Sequence, residues 1–177
     1  DAQVFGLRGH ALSSLGRHAE ANAAYAEALK LAPEDPYVRH LVVSAGLLPG
    51  AARAPDAYVE TVFDGYSQRF DHHLIALQYR APGLIRTALL AHLPALARGE
   101  AVGPVLDLGC GTGLMGVVLS DLPAGPLVGV DISEGMLAEA RAKGLYRDLV
   151  HAELEAFLAQ DTGAWPVVLA ADEFCYF

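Results

Sequence analysis

The residues best placed to do chemistry lie in the run VLDLGCGTG at positions 105–113. Its apolar part is typical of a buried parallel strand, and three glycines at alternate positions are typical of the turn after such a strand. Glycines adopt positive φ there and let a ligand lie against backbone amides. A second apolar run ends at Asp131, where a carboxylate accepts hydrogen bonds from ribose hydroxyls in sites of this kind. The pattern predicts a site for an adenosine-containing cofactor.

Two motifs overlap in the glycine-rich run. The residues Gly111, Gly113 and Gly116 satisfy the dinucleotide fingerprint, with Asp131 at the expected distance of about 20 residues. The longer pattern that begins at Asp107 resembles motif I of class I S-adenosylmethionine-dependent methyltransferases. An acid beside the ammonium group of that cofactor is favourable, whereas an acid beside a pyrophosphate is not. The resemblance therefore implies S-adenosylmethionine as the cofactor, and an NAD(P)-dependent oxidoreductase is the alternative.

The resemblance implies that five residues of motif I bind the cofactor. They are Asp107, Gly109, Cys110, Gly111 and Gly113. Two of them have a purely structural alternative: Asp107 can brace the turn through backbone amides, and Cys110 can be a small packing residue.

Further implied contacts come from the second and third strands. Asp131 binds the ribose, and Ile132 packs on the adenine. Ser133 caps a helix whose first turn places Met136 over the cofactor cleft, where it also packs on the adenine. Glu153 stands where the family usually has an Asp that accepts from the adenine amino group, and the amide of the next residue meets a ring nitrogen. That next residue is Leu154. The alternative for Glu153 is that it only favours the first turn of a helix.

Candidate catalytic residues are few. A fourth apolar run ends at Asp172, which is similar to the family's motif IV and either positions the acceptor or caps the strand's loop. His73, next to His72, is a candidate general base, with a solvated or capping pair as the alternative. The two cysteines, Cys110 and Cys175, have neither disulfide nor metal-ligand spacing, so no metal is expected.

The first 50 residues have a different pattern. Seven of their side chains follow the tetratricopeptide repeat, whose period is about 34 residues: Phe5, Gly9, Leu12, Ala21, Tyr25, Ala28 and Pro33. We interpret residues 1–50 as a tetratricopeptide-like helical element that is able to bind a protein partner. The whole order of motifs resembles a group of bacterial methyltransferases with such an element at the amino terminus.

Residues 51–100 are interpreted as linker and lid helices. They include a long apolar helix over residues 84–97 and three aromatic side chains that either line the pocket or pack in the core. Those side chains are Tyr66, Phe70 and Tyr79.

The predicted fold class is α/β, with a Rossmann-like, doubly wound methyltransferase sheet over residues 101–177 after the helical element. Strands are expected at about 104–108, 127–131, 147–151 and 166–171. Because the resembled fold has further strands, we expect a chain truncated after the fourth strand and cut from something longer.

Composition limits the partners. The chain has 12 Lys and Arg against 21 Asp and Glu, for a net charge of −9, which argues against nucleic acid as substrate. No long apolar segment or signal pattern is present, so no membrane partner is expected and the protein is predicted to be cytoplasmic. The predicted function is methyl transfer to a small-molecule or protein acceptor. A noncatalytic tetratricopeptide scaffold with a vestigial methyltransferase domain is a third alternative.

Overall fold

The computed structural model describes residues 1–49 and 56–171, and the chain divides into the units Asp1–Tyr58 and Val59–Phe177. The first unit contains α1 (Ala2–Ser14), α2 (His18–Leu31) and α3 (Pro36–Ser44). Helix α3 begins at Pro36, and Asp35 caps it, because the Asp35 side chain accepts from the Val38 N–H at 3.1 Å. The short connection makes α1 and α2 neighbours, and Tyr25 packs directly on Gly9.

Gly9→Ala is expected to lower the free energy of unfolding. A Cβ at Gly9 would lie 2.3 Å from Cε1 of the buried Tyr25 ring. Overpacking of this kind costs about 1–3 kcal/mol, more than the gain of up to about 1 kcal/mol from alanine's helix propensity. Thermal denaturation measures the effect. Gly65→Ala is the control, since that helical glycine has nothing within 4 Å; equal stability of the two variants would contradict the close packing.

The second unit is built on a parallel sheet of four strands among the described residues. They are β1 (Val105–Leu108), β2 (Leu127–Asp131), β3 (Asp148–His151) and β4 (Val167–Ala170). Each lies within one residue of its predicted position, which confirms the Rossmann-like fold. The order β3-β2-β1-β4 reverses direction at β1, and ligands of doubly wound sheets bind at the carboxyl end of such a switch point.

The helices of the second unit differ from the prediction at one place. They are α4 (Asp56–Ala76), α5 (Ala81–His92), α6 (Pro94–Ala97), α7 (Leu114–Leu119), α8 (Glu134–Lys143) and α9 (Leu154–Gln160). The single helix expected over residues 84–97 is wrong. Helix α5 begins earlier, because Pro82 is tolerated in a first turn, and it ends at His92, because Pro94 cannot continue it.

Two apolar clusters cover the sheet. Val105, Leu127 and Val167 pack with α6 and α7 side chains, whereas Leu106 and Val128 pack with Leu154 of α9. Alternate residues of a strand point to opposite faces, so neighbouring positions belong to different clusters. Both clusters hold the strand ends, and the turns after them, in fixed positions. Among the described residues, no helix is both long and apolar enough to cross a membrane.

Candidate functional site

The turn after β1 has the conformation that its glycines predict. Gly109, Gly111 and Gly113 have φ angles of 63°, 52° and 85°, in the left-handed region that favours glycine. The Cys110 N–H donates to the Val130 carbonyl at 3.0 Å, which ties the start of the turn to β2. A Cβ built at Gly111 would meet only Cε1 of Phe70, at 4.0 Å. The turn therefore presents backbone to open space, as a ligand cradle requires.

Asp131 joins this turn to the one after β2. Its Oδ2 accepts from the Gly111 N–H at 2.8 Å, and its Oδ1 accepts from the Ser133 N–H at 2.8 Å. Burial raises the pKa of Asp131, and the two backbone hydrogen bonds oppose that shift. A carboxylate oxygen has two lone pairs, so both oxygens retain capacity to accept from ribose hydroxyls.

Asp107 is fully buried at the end of β1. Its Oδ2 accepts from the Tyr146 hydroxyl at 2.6 Å, and that hydroxyl in turn accepts from the Gly116 N–H at 3.1 Å. Within the described part of the chain, its Oδ1 is buried with no hydrogen-bond partner. Burial and, to a smaller extent, the nearby Asp131 raise the pKa of Asp107 to about 7, while the Tyr146 hydrogen bond opposes the shift. One oxygen therefore braces the turn while the other is left for a donor.

Three predicted cofactor contacts have side chains in the interior. Cys110 packs on Gly129, Leu154 belongs to an apolar cluster, and Met136 is only 1% exposed. Ser133 caps α8, as predicted, by accepting from the Met136 N–H at 3.1 Å. The Met136 side chain lies in the core, and its adenine contact stays a prediction. For the other two residues only the backbone is available to a ligand.

The remaining predicted residues are dispersed. The Ile132 carbonyl accepts from His151 Nε2 at 2.8 Å. Glu153 caps α9 by accepting from the Ala156 N–H at 2.7 Å, which is the structural alternative, and its adenine contact stays a prediction. His73 is exposed on α4, edge-on to Tyr66, and Asp172 lies outside the described residues.

Helix α4 contributes residues that the sequence did not identify as functional. The Thr112 hydroxyl donates to Asp71 at 2.5 Å, and the Ser133 hydroxyl donates to Asp64 at 2.5 Å. Phe70 of the same helix lies beside Gly111 and pairs edge-on with other α4 aromatic rings. The available signal was the spacing of the two acids, which places both on one helix face. Tyr146 had no signal at all.

Comparison with known proteins indicates which class of enzyme this region is similar to. Residues 105–177 match the family model of the Methyltransferase domain. The match supports methyl transfer over the oxidoreductase alternative, and with it the predicted cofactor, S-adenosylmethionine.

Individual proteins similar to the chain also carry the methyltransferase name. Methyltransferase-like protein 27 of Homo sapiens is 36% identical over 114 residues, covering 64% of this chain and 43% of that protein. Ribosomal protein L11 methyltransferase of Xanthomonas campestris pv. campestris is 35% identical over 128 residues, covering 70% and 38%. The chain thus spans less than half the length of these curated relatives. The solved structure of the plantazolicin methyltransferase BpumL in complex with SAH has a TM-score of 0.47 at 21% identity, covering 69% of this chain and 51% of that one.

The matched region bounds the site. The glycine turn, Asp131 and Glu153 all lie inside the matched region, whereas Asp64 and Asp71 of α4 precede it. The contacts from α4 therefore come from outside that region.

Proposed function

We propose that this chain binds S-adenosylmethionine at the carboxyl ends of β1 and β2 and transfers its methyl group to a small-molecule or protein acceptor. The observation that carries the proposal is the hydrogen bond from the Gly111 N–H to Asp131, because it joins the backbone cradle to the ribose acceptor. The bound cofactor supplies a methyl group on a positively charged sulfur. Asp131 would hold the ribose, and the turn from Gly109 to Gly113 would lie along the methionine part.

The buried carboxylate of Asp107 supports the choice of cofactor. Its Oδ1 lacks a donor among the described residues, and a buried acceptor without a partner is costly. An ammonium group provides such a donor, and a nearby cation lowers the pKa of a carboxyl group. Asp107 would then be ionised at neutral pH. A pyrophosphate would instead add negative charge beside two buried acids.

Orientation is the main task of the protein in this proposal. Holding two reactants at near-contact distance is worth several kcal/mol, and an acceptor that is already nucleophilic needs no catalytic base. His73 and Asp172 remain candidates for a base only if the acceptor must lose a proton. Its exposed position on α4 places His73 at the protein surface.

We further propose that the first unit is a tetratricopeptide-like element that binds a protein partner, as in the bacterial group that the sequence resembles. The close approach of α1 and α2 at Gly9 and Tyr25 supports this interpretation, and so does the start of α3 directly after α2.

Asp131→Ala is expected to weaken S-adenosylmethionine binding by more than about tenfold, because hydrogen bonds to a charged group contribute about 1.5–3 kcal/mol. Titration calorimetry with S-adenosylmethionine and NAD, side by side, measures the effect and separates the two cofactor classes. Asp148→Ala is the matched control, since that exposed acid pairs only locally with Arg147 at the other end of the sheet. Wild-type affinity in a folded Asp131→Ala variant would refute the ribose assignment.

A further inference from the structure

Helix α4 presents a row of acids to the carboxyl edge of the sheet. Glu60, Asp64 and Asp71 are four and seven residues apart, a spacing that places them on one helix face. Each meets a segment that follows a different strand: Glu60 lies 3.5 Å from His151 at the end of β3, Asp64 contacts the turn after β2, and Asp71 contacts the glycine turn after β1. One helix thus touches the ends of three adjacent strands.

The contact with the glycine turn is a closed triangle of polar groups. Asp71 accepts from the Thr112 hydroxyl at 2.5 Å and pairs with Lys143 Nζ at 2.8 Å. Lys143 Nζ also donates to the Thr112 carbonyl at 2.7 Å. The Asp71 and Lys143 side chains are half-buried, and charge-assisted hydrogen bonds of this kind are stronger than exposed ion pairs. The triangle fixes Thr112, which lies between two glycines of the cradle.

The contact with the second turn is equally direct. Asp64 Oδ1 accepts from the Ser133 hydroxyl at 2.5 Å and from the Gly135 N–H at 2.9 Å. These hydrogen bonds lower the pKa of Asp64, so it is ionised at neutral pH. Ser133 is fully buried, and its own N–H donates to Asp131. Asp64 is therefore one residue removed from the ribose acceptor.

Apolar burial contributes little to this attachment. Of the α4 side chains that the structure describes, Ser67 alone is buried, while Val62 and Ile75 are exposed. The helix meets the strand ends through polar contacts with Thr112, Ser133, Gly135 and Lys143, and the half-buried Phe70 lies beside Gly111. A polar attachment specifies geometry more than it adds stability.

We propose that Asp64 and Asp71 are positioning residues that hold the two cofactor-binding turns in their binding geometry without touching the cofactor. The inference rests on the proposed function, because the turns are those assigned to S-adenosylmethionine. Through Thr112, Asp71 sets the path of the cradle at Gly111 and Gly113. Through Ser133, Asp64 sets the turn whose amide orients the Asp131 carboxylate.

Asp64→Ala and Asp71→Ala are each expected to weaken S-adenosylmethionine binding by about tenfold in titration calorimetry, since each loses two charge-assisted contacts. Thr112→Val, a near-isosteric change that removes only the hydroxyl, is expected to weaken binding about threefold or more. Asp64→Asn is the conservative rescue, because an amide oxygen still accepts from Ser133 and Gly135; its affinity is expected within about threefold of wild type.

Asp121→Ala is the matched control. It breaks the bidentate ion pair with Arg86 that joins α5 to the end of α7, and neither residue contacts a cofactor turn. This variant is expected to lose thermal stability while keeping wild-type affinity. Amide hydrogen exchange over residues 109–113 and 131–135, without ligand, is a second readout: it is expected to be faster in Asp64→Ala and Asp71→Ala and unchanged in Asp121→Ala.

The outcomes separate the two proposals. If the wild-type chain binds S-adenosylmethionine and the Thr112→Val, Asp64→Ala and Asp71→Ala variants bind equally well, the positioning role is refuted. If Asp121→Ala loses as much affinity as Asp64→Ala and Asp71→Ala at a similar loss of thermal stability, the role is structural and the proposal is again wrong. If the wild-type chain does not bind S-adenosylmethionine, the proposed function fails. Hydrogen exchange still tests the role of α4 in that case: faster exchange in the two turns of Asp64→Ala and Asp71→Ala supports it, and unchanged exchange refutes it.

Discussion

Gly111→Val is expected to abolish S-adenosylmethionine binding, with a loss of affinity of about a hundredfold or more, while the fold persists. The valine side chain would enter the space that the backbone of the turn faces, where the nearest protein atom is Phe70 Cε1 at 4.0 Å. The folded protein can therefore accommodate part of the valine side chain, but a ligand bound on the cradle would clash with it. The φ of 52° adds strain for a β-branched residue. Calorimetry and circular dichroism together measure the effect.

Gly16→Val separates backbone strain from loss of ligand space. Gly16 has a φ of 72° and nothing within 4 Å of a built Cβ, and it lies in the helical unit that carries no cofactor residue. The same strain should lower its melting temperature and leave cofactor affinity unchanged. A Gly111→Val protein that binds as tightly as wild type would place the cofactor elsewhere.

Asp107→Asn is expected to make the ligand-free protein more stable at about pH 8 and to weaken cofactor binding about tenfold. The pKa of Asp107 is about 7 in the folded protein, against 3.8 for the unperturbed group. Between these values the folded state holds a proton that the unfolded state has lost, so stability falls as pH rises from about 4 to about 7. Asparagine cannot ionise and removes this decline. It also removes the charge that would meet an ammonium group.

Urea denaturation at about pH 5 and about pH 8 measures this difference. Asp131, whose pKa is also raised by burial, contributes a similar slope to both proteins, so the difference between them isolates Asp107. Tyr146→Phe is the companion variant: it removes the donor to Asp107 Oδ2 that lowers the Asp107 pKa, so the decline should extend to higher pH. Parallel pH profiles for wild type and Asp107→Asn would show that the buried carboxyl titrates normally.

The residues at the ends of the apolar runs were sufficient to predict the strands of the sheet. Glycines and acids mark the ends of β1 and β2, so these strands were predicted within one residue. The end of α5 was predicted wrongly, because Pro94 lies inside an apolar run. Hydrophobic periodicity does not show that proline lacks the backbone N–H that a continuing helix needs.

The site could be predicted only where the functional residues lie in a turn directly after a strand, because the strand then fixes their position. Gly111 and Asp131 meet as expected, since parallel strands end at one edge. The Tyr146 hydroxyl reaches Asp107 across 39 residues of sequence, and no local pattern reports such a contact. The cap of α8 at Ser133 was also predicted from the sequence, whereas the burial of the Met136 side chain depends on packing that the spacing does not show.

The partners of α4 are distant along the chain. Asp71 bonds to a residue 41 positions later, and Asp64 bonds to residues 69 and 71 positions later. We expect such contacts to form only once β1 and β2 are paired, because closing the long loops between α4 and its partners earlier costs conformational entropy that no contact yet offsets. We therefore expect α4 to dock late in folding and, with little apolar burial, to open before the sheet does when stability falls. On that expectation the assembled binding site has a shorter lifetime than the sheet on which it stands.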